Sequence, residues 1–134
     1  MADTNAARER LVPLRNALLT HHKSLLDSER SIYERDVARI PSPSAFLKLL
    51  LEDPFFAWLR ELSQLVVVID ELLAGEEPID AADADRLIAQ ARALLSPSEN
   101  GTGFARSYYE AMQRDPDVVM AHSRMLKVFA SLQP

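Results

Sequence analysis

The sequence has no cysteine, only three glycines, and no apolar run longer than LVVVI at 65–69. Without cysteine there is no disulfide scaffold, no thiolate metal site and no cysteine nucleophile, and the usage fits a reducing compartment. Few glycines, with 48% hydrophobic and 26% charged residues, argue against a disordered or low-complexity chain. LVVVI is bracketed by Arg60 and Glu61 on one side and Asp70 and Glu71 on the other. A membrane span of about 20 apolar residues is therefore missing. The opening MADTNAARER has no apolar segment of the secretory kind, so a cytoplasmic location is expected, with residues 1–5 as a mobile tail.

A length of 134 residues suits one domain whose core closes without a metal or disulfide. The net charge of −5 is unevenly placed: residues 1–50 carry eight basic and six acidic side chains, and 51–134 carry seven and fourteen. Most of such a surface repels a polyanion, so nucleic acid is not an expected partner.

Proline follows a small polar residue at Ser42-Pro43, Asp53-Pro54 and Asp115-Pro116. A side chain that accepts from free amides, followed by a residue with no amide of its own, marks a helix start. Asp80 before AADADRLI is a fourth such start, with Asp83 and Asp85 favoured by the helix dipole. The map is a long first helix to about residue 38, then helices at 43–51, 54–74, 81–95, 103–114 and 116–132. Pro13 is expected to kink the first helix or delay its start. Apolar residues recur at three and four rather than at two, so the class is all-α, a single-domain helical bundle. The loop SPSENGTGF, Ser96 to Phe104, is read as a chain reversal, because it lacks the lysine and preceding strand of a phosphate loop.

On a helical wheel, Leu11, Leu18, Leu25 and Ile32 form one row and Val12, Leu19, Leu26 and Tyr33 another. Between them run Arg15, His22, Glu29 and Asp36, while His21 falls off the stripe and is expected in solvent. In the last helix, Val118, Val119, Met125, Leu126 and Phe129 surround His122. The segment 54–74 is apolar nearly all round, which predicts a central helix or one covered by a second copy, with Phe55, Phe56 and Trp58 as a self-association surface. Asp70 at its edge needs a cationic or hydrogen-bonding partner, for which Arg15, His22 and His122 are the candidates.

Three roles are open to Arg15, His22, Glu29, Asp70 and His122. They form a buried polar network that sets helix register and partner choice, or the polar groups of a small-molecule pocket between helices. In the third, His22 and His122, with Glu29 or Asp70, ligate a metal or haem. The Glu-x-x-His pairs of di-iron bundles are absent. His22 and Glu29 also lie about 10 Å apart along one helix at about 1.5 Å per residue, too far to share one small ion. No catalytic constellation is assigned, because no serine sits in a nucleophile elbow and no acid pair has a fixed spacing, and no cofactor or metal site is assigned. The expected function is binding or assembly rather than catalysis.

The strings HKSLLDSER, DPFFAWLRELSQLVVVIDELL and SPSENGTGFARSYYEAMQRDPDVVMAH resemble a family of small bacterial helical proteins of unknown activity. The resemblance spans His22 to His122. It implies a bacterial source and no chemistry.

Overall fold

A computed structural model describes residues 4–133 and is all-helical among them. Helix α1 covers Thr4–Asp36, α2 Pro43–Glu52, α3 Arg60–Ala74, α4 Ala81–Leu94, α5 Gly103–Arg114 and α6 Pro116–Ser131. Of the tail expected at 1–5, residues 1–3 lie outside the described residues, and Thr4 already begins α1. Among the described residues no helix is long and apolar enough to cross a membrane.

The four polar caps form where the sequence places them. Ser42 accepts from the amide of Ala45, Asp53 from Phe55 and Asp115 from Asp117. Asp80 and Asp83 exchange side-chain and backbone bonds in a reciprocal capping box. Proline stands at the first turn after Ser42, Asp53 and Asp115, so these starts lose no intrahelical bond.

Two boundaries differ from expectation. Helix α1 runs through Pro13 with no delayed start. Pro13 is exposed, so the carbonyl deprived of a partner by the missing amide is on the solvent side. The segment 54–74 is two elements, a 3-10 turn at Pro54–Leu59 followed by α3. In that tighter turn Phe56 and Leu59, three residues apart, point together into the core.

Helix α1 is the axis of the bundle, and α3, α4 and α6 make the most extensive packing against it. Its buried row is Ala7, Leu11, Leu14, Leu18, His21, Leu25 and Ser28, a strict alternation of four and three. Val12 and Leu19, expected inside, are exposed at 37% and 45%. Helix α3 is not central: it buries Leu62, Leu65, Val66 and Ile69, while Val67 and Val68 are half exposed. Of the aromatics at the start of 54–74, Phe56 is buried, while Phe55 and Trp58 pack against the core and stay partly exposed. Tyr33, Phe46, Phe55 and Phe56 stack there edge-on or tilted.

The SPSENGTGF loop reverses the chain between α4 and α5, as expected. It is tied by the amide of Ser98 to the carbonyl of Ala105 at 3.1 Å. Gly103 adopts φ +59 as it opens α5, a conformation that favours glycine.

Candidate functional site

The four-three alternation of α1 carries His21, not His22, into the interior of the bundle, where it is only 2% exposed. On α5, Phe104, Tyr108 and Ala111 share the inward face, and Tyr108 is completely buried. On α6 the inward face is Val118, Ala121, Met125 and Phe129, with His122 at its edge and half-buried. Val119 and Leu126, expected beside it inside, are exposed at 43% and 53%.

These placements meet at one oxygen. The Tyr108 hydroxyl is 2.8 Å from His21 Nε2 and 2.7 Å from His122 Nδ1. Both imidazoles stand roughly edge-on to the phenol ring, with centroids at 5.6 and 5.4 Å. A hydroxyl has one proton to give, so Tyr108 donates to one histidine and accepts from the other. The chain therefore has a direction that reverses when the rings change tautomer.

Burial sets the charge state. It holds the His21 imidazole down at about 4, helped by the Arg124 cation and by electrostatic coupling to His122 and His22. Burial also lowers His22 and His122 and raises the Tyr108 phenol. At neutral pH the chain is thus made of neutral rings and a neutral phenol.

The other expected polar residues do not join this chain. Asp70 is paired with Arg15 at 3.0 Å, the first of its three candidate partners, on a half-exposed edge between α1 and α3. Glu29 is buried and forms an ion pair with Arg114 of α5. Burial pulls the Arg114 guanidinium below its ordinary value, while Asp115 acts against this. His22 is half-buried, and its ring makes no hydrogen bond among the described residues. Asp36, the last of the ladder, is exposed and pairs with Arg35. The ladder of Arg15, His22, Glu29 and Asp36 thus spreads along α1 without converging. Among the described residues, no three histidine or acidic side chains gather as a metal site.

His21, Tyr108 and Arg114 were not among the expected site residues. The signal for His21 was available: Leu14, His21 and Ser28 continue the spacing of Leu11, Leu18 and Leu25 on the side opposite to Val12 and Leu19. Tyr108 sits four residues after Phe104 and three before Ala111, and an inward phenol needs a polar partner. Nothing local points to Arg114.

His21 also lines a cavity of about 280 Å³ between α1 and α6. Ala17, Ala121, Met125 and Val128 supply its apolar wall, and Thr20, Ser24 and Arg124 lie at its polar side. Because Nε2 is taken by Tyr108, Nδ1 is the ring nitrogen left over, and it has no hydrogen-bond partner. A second hollow of about 470 Å³ adjoins this one through Ser24 and Arg124. It is lined by Ser28, whose buried hydroxyl is likewise unpartnered. Two further hollows lie beside Tyr33 and Pro54, at about 430 Å³, and between α3 and α4, at about 540 Å³. Neither is lined by a buried polar atom that lacks a partner. No family model matches the chain, and neither curated proteins nor solved structures give a match.

Proposed function

We propose that this protein binds a small molecule in the cavity between α1 and α6, and that the His21–Tyr108–His122 chain holds α1, α5 and α6 in place around it. The observation that carries the reading is the Nδ1 atom of His21. It belongs to a fully enclosed side chain that lines a cavity, and it has no partner. Buried polar atoms are nearly always satisfied, and leaving one unpaired costs about 1–3 kcal/mol. A ligand group that completes the bond recovers this energy. An apolar wall with a few convergent polar groups is the usual composition of such a site.

The same framework argues for binding over catalysis. The histidines are neutral at physiological pH and tied to a phenol whose acidity is suppressed by burial. This is a stable, directional set of donors and acceptors, not a nucleophile with its base. The test is a fragment screen read by NMR at the His21 ring, run in parallel on Ala121→Leu. Ala121 is buried in the cavity wall, and leucine there fills the space. Saturable shifts at His21 that vanish in Ala121→Leu are expected. If no fragment moves His21, or if the same fragments bind the filled variant equally well, the reading is wrong.

A further inference from the structure

We infer that the ligand of the α1–α6 cavity is a small monocarboxylate with a short aliphatic body, anchored by Arg124 and by Nδ1–H of His21. The inference rests on the reading of this cavity as a binding site and adds the chemistry of what it takes.

Charge is the first argument. Arg124 is the one ionised side chain in the cavity wall, and it makes no ion pair among the described residues. An unpaired guanidinium at the edge of an apolar pocket favours a planar anion, to which it offers paired donors. The adjoining hollow has the opposite character, with Asp27, Asp115 and Asp117 beyond Ser24 and Arg124. A second negative charge reaching that way meets three carboxylates, so the site suits a single one.

The hydrogen-bond chain is the second argument. A carboxylate only accepts, so His21 must present Nδ1–H to it. In a neutral ring Nε2 then becomes an acceptor and takes the Tyr108 proton at 2.8 Å. The phenol oxygen in turn accepts from Nδ1–H of His122 at 2.7 Å. Every bond then points the same way, from His122 at the edge of α6 through Tyr108 to the ligand, and each ring stays neutral. No proton is gained or lost by the protein. A ligand that donates to His21 would impose the reverse order, leave both rings protonated on Nε2, and bring its own donor beside the Arg124 cation.

Size is the third argument. At about 30 Å³ per water, a volume of about 280 Å³ corresponds to roughly nine waters, the scale of a small organic molecule. Ala17, Ala121, Met125 and Val128 would cover an aliphatic chain of a few carbons. The hydroxyls of Thr20 and Ser24 already donate to the carbonyls of Asn16 and Thr20. Their oxygens are left to accept, so a hydroxyl on the ligand is also accommodated.

The test compares butyrate, butyramide and butylamine, which share a body and differ in charge, by titrating the full chain with its histidines labelled with nitrogen-15. Butyrate should bind about tenfold more tightly than butyramide, the ratio expected for one charge-assisted contact. It should also convert both His21 and His122 to the Nδ1–H tautomer, visible in their ring nitrogen shifts. Arg124→Gln, at an exposed position that leaves the core intact, should bring butyrate down to the affinity of butyramide. Tighter or equal binding of the amide or the amine at His21 overturns the carboxylate assignment and leaves the cavity reading standing. Failure of all three, together with an empty fragment screen, overturns both.

Discussion

The phenol oxygen of Tyr108 lies 2.8 Å from Nε2 of His21, 87 residues away in the chain, and neither side chain reaches solvent. The bond joins α1 to α5, and the same oxygen joins α5 to α6 through His122. Tyr108→Phe removes the central atom while keeping the ring in its packing with Phe104. It strands a second nitrogen of His21, and a loss of about 2 kcal/mol is expected. His122→Ala should cost less, about 1 kcal/mol, because His122 is at the edge and Tyr108 keeps His21. Chemical denaturation of both variants checks the order; an equal or reversed ranking would show that the hydroxyl is not the hub.

Acid should weaken the fold through His21. The unfolded chain protonates this imidazole near 6.5 and the folded one near 4, because burial and the neighbouring cations oppose its charge. Between those values the unfolded state binds the extra proton, so stability rises with pH. The contribution is complete above pH 6.5 and is lost as pH falls toward 4. The interval amounts to at most about 3–4 kcal/mol at about 1.4 kcal/mol per pH unit. His22 and His122 are lowered as well and act in the same direction. Urea midpoints at pH 7 and pH 4.5 should separate clearly in the natural chain and less in His21→Gln, which cannot be protonated.

Two ion pairs of α1 should behave differently. The Glu29 side chain is 5% exposed, so Arg114→Met leaves a buried carboxylate without its counter-ion, at a cost of about 3 kcal/mol. Adding Glu29→Met removes the stranded charge and should restore most of the loss. The Arg15 and Asp70 side chains are 29% and 44% exposed, and Arg15→Ala should cost under about 1 kcal/mol and lose even that at high salt. A double-mutant cycle for each pair, in low and high salt, measures the contrast. Equal coupling energies would contradict the difference in burial.

The ion pair of Asp70 with Arg15, one of its three candidate partners, illustrates how far sequence reaches. Both residues sit beside apolar rows of long helices, and an edge carboxylate needs a cation that an adjacent helix can supply. The error at His21 and His22 shows the opposite case. The two differ by about 100° on the helix, and Val12, Leu19 and Leu26 made one edge of the stripe as apolar as Leu14 made the other. The neighbours chose the edge. With α3, α4 and α6 against α1, the arc through Leu14, His21 and Ser28 is covered, and Val12 and Leu19 face out.

The sequence by itself determined the all-α class and where α2, α4 and α6 begin. These rest on local chemistry: a side-chain oxygen reaching an amide two or three residues on, a proline without an amide, and apolar spacing of three and four. Only the tertiary structure decided which histidine is buried, that Tyr108 stands between His21 and His122, that Glu29 meets Arg114, and that a cavity remains beside His21. Each depends on how helices far apart in the chain cross one another, and small rotations of a helix about its axis exchange one row of side chains for the next. Local spacing leaves that rotation open, and packing against three neighbours closes it.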